Sequence, residues 1–139
     1  MKEIENMTKA EWQVMRIVWT LGEVTSKQVI EVLTRKTDWK QATIKTLIIR
    51  LQKKNFLKAD ESKRPYVYHP QISENDAIHQ NVNNMFDNLC CMKKGKAIGD
   101  LIQNSDISKG DIQDLISLLQ DKEKTAPESV KCDCLEATA

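Results

Sequence analysis

Between Thr8 and Asn55 the chain carries three short apolar stripes in succession, each at helical spacing and each bounded by its own start or stop signal. This pattern confines its first half to a small helical head. The first run, TKAEWQVMRIVWTLGE, opens with Thr8 and Glu11 in capping-box spacing, sets Trp12, Met15 and Trp19 beside Val14 and Val18, and stops at Gly22. The second, SKQVIEVLTRK, is capped by Thr25 or Ser26 and offers Val29, Ile30 and Leu33. The third, KQATIKTLIIRLQKKNF, places Ile44, Leu47, Ile48 and Leu51 on one face, with Lys40, Gln41, Thr43, Lys45, Thr46 and Arg50 elsewhere. It meets Asn55, a residue suited to a left-handed stop. FLKADESKRPYVYHP then reads as two stretches of strand character around a charged turn at Asp60–Arg64, with Tyr66 and Tyr68 alternating against Val67.

Three helices followed by a β-hairpin is the layout of a winged helix-turn-helix, in which the helix after the turn enters the major groove and the wing lies along the backbone or minor groove. The charge distribution agrees. The formal net charge is only +1, but residues 1–70 hold 14 Lys/Arg against 8 Asp/Glu, a net of +6, while residues 71–139 hold 7 against 12, a net of −5. Within residues 35–64 the count is 10 basic to 3 acidic. A charge run alone is usually a solvated face. Here it falls on the third helix and the wing, where each cation that neutralises a phosphate releases a counterion.

The second half is helical and less basic. Ser73 and Asp76 open SENDAIHQNVNNMFDNLCCMKK, an amphipathic helix with Ile78, Val82, Met85, Phe86 and Leu89 on its stripe. Gly95 and Gly99 loosen the chain around KAIGDLIQN, and a last helix begins at Ser108 with Ile112, Leu115, Ile116 and Leu119 as its seam. These stripes exceed what the small second half can bury, so a homodimer is expected, and its two-fold axis suits a palindromic DNA site. The expected fold is mainly α with a small β-hairpin. A winged helix-turn-helix occupies residues 1–70, a helical dimerisation region 71–123, and a flexible, cysteine-bearing, metal-sensing tail 124–139.

The opening MKEIENMTKAEW lacks the basic-then-apolar order of a signal peptide. No stretch approaches the ~18 apolar residues of a membrane span, so a cytoplasmic protein with no membrane partner is expected. In a reducing compartment four cysteines are metal ligands or core thiols rather than a disulfide framework. Cys132 and Cys134 stand in KCDCLEATA, and in an extended segment residues i and i+2 point to one side, so their sulfurs converge on one soft metal ion or bridge neighbouring ones. Cys90 and Cys91 adjoin each other on an expected helix, where they diverge by about 100°, so at least one packs rather than ligates. His69 and His79 stand alone in a wing and a helix and are assigned to structure, not to metal.

The stretches AEWQVMRIVW, GEVTSKQVIEVL, WKQATIKTLIIRLQKKNFL and RPYVYHP, in that order and with those gaps, resemble the penicillinase-repressor (BlaI/MecI) family of bacterial winged-helix regulators, over roughly residues 5–123. Within it, GEVTSKQVIEVL and a cysteine-bearing tail look like the copper-responsive (CopY) branch. The resemblance implies a non-enzymatic repressor of copper-export genes that binds palindromic operators with TACA/TGTA half-sites as a dimer. It implies Zn(II) in the DNA-binding form, Cu(I) as the inducer that displaces it, and a copper chaperone as a further partner. It puts Lys40, Gln41, Ala42, Thr43, Lys45 and Thr46 at the start of the DNA-reading helix, with Arg50 one turn on. By chemistry, Gln41 suits an adenine edge, Thr43 or Thr46 a thymine methyl or a phosphate, and Lys45 and Arg50 a phosphate or guanine. Lys63 and Arg64 at the wing tip are expected on the DNA backbone.

The tail departs from that branch, which normally carries two Cys-x-Cys pairs where this chain has one. Two tails of a dimer sharing a metal, a contribution from Cys90 and Cys91, or a missing second pair would each account for it, the first and third being favoured. Two rival functions are a β-lactam-type repressor inactivated by proteolysis, in which a cysteine tail has no task, and a copper-carrying chaperone. Against the chaperone, the chain has no Cys-x-x-Cys, no His beside a Cys and no glycine-rich phosphate loop.

Overall fold

The computed structural model describes residues 7–135, so 136–139 of the expected tail lie outside the described residues. The elements in order are α1 (Lys9–Leu21), α2 (Ser26–Lys36), α3 (Gln41–Lys53), β1 (Leu57–Asp60), β2 (Val67–Pro70), α4 (Glu74–Asp87), a single 3-10 turn (Cys91–Lys93), α5 (Lys94–Asn104) and α6 (Lys109–Glu123). The chain divides into two compact units between Asn84 and Met85, inside α4.

The first unit is a winged helix-turn-helix. The expected capping box of α1 forms, the Thr8 hydroxyl accepting from the Glu11 amide while the Glu11 carboxylate accepts from the Thr8 amide; at α2 the cap is Thr25, and the structure adds a second capping box there, with Gln28. Gly22 ends α1 at φ +86° and Asn55 follows α3 at φ +65°, the left-handed region that glycine and asparagine enter most cheaply. Val14, Met15 and Val18 of α1, Val29 and Leu33 of α2, and Ile44, Leu47, Ile48 and Leu51 of α3 are buried together with Phe56 and Leu57. Trp12 and Trp19 meet edge to face at 5.4 Å, and the Trp19 indole donates to the Ile72 carbonyl at 2.9 Å, tying α1 to the segment after the wing.

Strands β1 and β2 pair antiparallel with Leu57 opposite Pro70 and Asp60 opposite Val67. The wing is fastened to the α1–α2 turn by a bridge in which Val24 and Tyr68 exchange backbone hydrogen bonds of 3.1 and 2.7 Å. One buried charge crosses this unit. Glu11 is fully buried, and its carboxylate takes the Lys54 ammonium at 2.7 Å, joining the start of α1 to the end of α3. Burial pushes the Glu11 carboxyl up, but the hydrogen bonds from Lys54 and Thr8 outweigh it and hold the group below its ordinary value.

The second half differs from expectation in two places. The helix from Glu74 stops at Asp87 instead of running through the cysteines; Asn88 and Leu89 bond back to the Met85 and Phe86 carbonyls at i−3, and Cys90 is extended at φ −56°, ψ 135°. Where Gly95 and Gly99 were expected to loosen the chain, α5 forms instead. Gly95 lies in the first turn, and a single interior glycine costs only about 1 kcal/mol against the good helix formers around it. No residue of α5 or α6 is buried, and the seam residues Ile116 and Leu119 stand 49% and 54% exposed. Among the described residues no helix is long and apolar enough to cross a membrane.

Candidate nucleic-acid interface and thiolate cluster

A four-residue turn, 37–40, separates α2 from α3 and is held by the Thr37 hydroxyl, which donates to the Leu33 carbonyl at 2.7 Å and accepts from the Trp39 amide at 3.1 Å. Lys40 is the N-cap of α3 without a side-chain cap bond, so the first amides of α3 carry none from that residue. With the four apolar residues of α3 turned into the core, Gln41, Ala42, Thr43, Lys45, Thr46 and Arg50 are all exposed, as a DNA-reading face requires. At helical spacing the middle of that face is Ala42, Thr46, Ile49 and Lys53, flanked by Lys45 and Arg50. Ile49, half exposed between cations, was passed over in the sequence because it reads as one more apolar residue in the run TLIIRL. The usable signal was its position, one residue out of the 44/47/48/51 stripe.

Two basic residues of this region are already engaged. Lys54 is committed to Glu11. Arg64, expected on the DNA backbone, donates from its guanidinium to the Glu61 and Lys63 carbonyls of its own turn and lies over the Tyr66 ring at 4.8 Å. The same turn is braced by Asp60, whose carboxylate accepts from the Ser62 hydroxyl at 2.5 Å and amide at 3.1 Å, and these bonds hold it below its ordinary value. Lys63 extends from the exposed tip. Removing its charge in Lys63→Ala should weaken binding to every duplex about equally and lower the salt slope by about one unit, whereas Gln41→Ala should blur discrimination between sequences. Salt titrations of both variants on two duplexes measure this, and an unchanged slope for Lys63→Ala removes the wing tip from the interface.

The second unit holds a sulfur cluster. The Sγ atoms of Cys90, Cys132 and Cys134 lie within 4.8 Å of one another, with Cys90 and Cys132 at 3.6 Å as free thiols. The Cys134 amide points at the Cys132 sulfur at 3.4 Å. On the opposite side, Asp133 accepts from the Cys91 amide at 3.1 Å and from its thiol at 2.8 Å. Cys91 therefore turns away from the other three sulfurs, as its divergence from Cys90 requires, although neither cysteine sits on the helix first expected. Asp133 went unnoticed in the sequence, since nothing local marks a partner 42 residues distant.

Local hydrogen bonding orders the protons. The Met92 amide, then Cys134 and Cys132, favour a thiolate at Cys90 and lower its pKa; bonding first to Cys90 and then to Cys132 pushes Cys134 up to about 12. Asp133 raises Cys91 and is itself lowered by that bond. His69 lies 3.4 Å from Glu23, and His79 faces Asn83, so neither belongs to the cluster.

The family model described as penicillinase repressor matches residues 7–121. The chain belongs to the penicillinase-repressor family. It is 46% identical over 129 residues, 93% of this chain and 88% of the other, to the uncharacterised 16.5 kDa protein in the ptsI 3′ region of Latilactobacillus sakei. It is 27% identical to the penicillinase repressor of Bacillus licheniformis, over 87% of this chain and 94% of that one. Among solved structures, the monomeric form of Bacillus licheniformis BlaI in complex with the blaP half-operator is 36% identical, covering 55% of this chain and 93% of that one, at a TM-score of 0.49. The penicillinase-repressor family is one of DNA-binding transcriptional repressors, and this chain is such a repressor and not an enzyme.

Proposed function

We infer that this repressor acts as a dimer on palindromic operators with TACA/TGTA half-sites, that α3 and the wing make the contacts, and that Cu(I) captured by its cysteines releases it from copper-export genes. The observation carrying the copper response is the convergence of the Cys132 and Cys134 sulfurs on the chain's one sulfur cluster among the described residues. The donor set is all sulfur, which suits soft Cu(I) and Zn(II) and not hard cations. When bound, Zn(II) would supply a four-coordinate crosslink, and Cu(I), content with fewer sulfurs, would exchange it for a different arrangement of the tail. The dimer is supported by the wet seams of α5 and α6, since apolar surface worth about 25 cal/mol per Å² is left for a second copy to cover. At the DNA, Lys45 and Arg50 suit phosphates or guanine, Gln41 an adenine edge, and Ile49 joins Thr43 and Thr46 as an apolar partner for thymine methyls.

Fluorescence anisotropy of a labelled TACA/TGTA duplex tests this directly. Zinc-loaded protein should bind, and anaerobic Cu(I) should weaken binding by about 10- to 100-fold, the usual range of coupling between sites. The Cys132→Ser/Cys134→Ser protein should bind the duplex and ignore copper. Wild-type binding indifferent to Cu(I) would leave a repressor with some other signal, among them the proteolytic one, in which the thiols have no role.

A further inference from the structure

We propose that Cys90 is a metal ligand, and that Cys90, Cys132 and Cys134 together form a three-sulfur site for one Cu(I) within a single chain. The proposal rests on the copper reading above and names the donor that the single Cys-x-Cys pair lacks.

The geometry carries it. Three sulfurs drawn from positions 42 and 44 residues apart in sequence lie within 4.8 Å of one another. Metal–sulfur bonds of about 2.3 Å put sulfurs about 3.8 Å apart at a tetrahedral angle and slightly further in a trigonal one, so closing on an ion needs a contraction of an ångström or less. Packing does not explain the convergence. Cys132 and Cys134 are exposed and Cys90 half-buried, so little apolar area is gained by gathering them.

The two strands of chain also meet in register. In the tail, residues 132 and 134 face one way and 133 the other; at the junction after α4, Cys90 faces the sulfurs and Cys91 faces Asp133. The Asp133–Cys91 pair thus holds the tail with both its thiols toward Cys90. This is a positioning role, performed on the side away from the site.

Coordination number selects the ion. Cu(I) is satisfied by three thiolates, whereas zinc in a structural site takes four ligands and would need one from outside the cluster. Each thiol that ligates gives its proton to solvent, and the copper stays Cu(I) throughout. The stoichiometry that follows is one Cu(I) per chain, with no second tail required.

The test uses the full, reduced chain under anaerobic conditions. Cu(I) is titrated in competition with a chromogenic Cu(I) chelator, and Cd(II) serves as a probe whose near-ultraviolet thiolate charge-transfer absorption scales with the number of bound sulfurs. Wild type, Cys90→Ser, Cys91→Ser and Cys132→Ser/Cys134→Ser are compared. Wild type should take one ion per chain. Cys90→Ser should lose about one third of the charge-transfer intensity and at least about tenfold in Cu(I) affinity, since even the loss of an outer partner costs 10- to 100-fold. Cys91→Ser removes a positioning partner and no ligand, so the charge-transfer intensity per bound ion should stay at that of three sulfurs while Cu(I) affinity falls. If Cys90→Ser matches wild type while the double variant loses the ion, the tail pair binds without Cys90 and this proposal fails, with the copper reading intact. If wild type takes up neither ion, both fail.

Discussion

Glu11→Ala is expected to cost the DNA-binding unit about 2–3 kcal/mol, which for a unit of this size lowers Tm by about 10 °C or more. Glu11 is fully buried and does two jobs with one carboxylate: it accepts from the Thr8 amide at 2.9 Å, closing the cap of α1, and it takes the Lys54 ammonium at 2.7 Å. Truncation orphans the Thr8 amide and leaves a cavity beside a lysine that is only 31% exposed. Glu11→Gln keeps an oxygen for both donors and should lose about half as much. The pH dependence separates the charge from the shape. The folded pKa lies below the ordinary value of 4.5, so the folded chain binds fewer protons than the unfolded one between those two values. The ionic contribution is complete above the ordinary value and disappears as pH falls through the lowered one. Urea denaturation followed by circular dichroism at pH 7 and in the acid range measures both, and a Glu11→Ala protein as stable as wild type would show that the buried pair contributes nothing net.

Reversing two charges on the outward face of α3, in Lys45→Glu/Arg50→Glu, should weaken operator binding by about 100-fold or more and lower the salt slope by about two units. On the proposed reading, each substitution removes a cation that would neutralise a phosphate and adds an anion that would repel it. Because both side chains are exposed and leave the 44/47/48/51 core untouched, stability should change by only about 0.5 kcal/mol, so the loss reads as an interface effect. Operator affinity across a salt series, beside a urea melt, provides the measurement. Undiminished affinity would mean that some other surface than α3 meets the DNA.

Much of the first unit was legible because its determinants are local. Capping boxes span three residues, the stripes repeat within a turn or two, and Gly22 and Asn55 mark points where φ becomes positive. The same local reading misjudged α5, where Gly99 was given more weight than a single glycine carries within helix formers, and it extended α4 through Cys90 because the apolar period ran on past Asp87. Within the basic region, composition treated every cation alike. The structure separates Lys54, held by Glu11, from the exposed Lys45, Arg50, Lys63 and Arg64, the last of which also bonds to its own turn and lies over Tyr66.

The sequence by itself determined that this chain makes a three-helix head with a basic third helix and a hairpin wing, because periodicity, caps and charge act over neighbouring residues. Tertiary structure alone decided which cysteines meet. Cys90 joins Cys132, and Cys91 joins Asp133, across 42 residues. No local preference encodes such a pairing; it follows from where α4 stops and from the non-helical tail, which bends at Cys134 and brings Cys132 and Cys134 to Cys90 and Asp133 to Cys91.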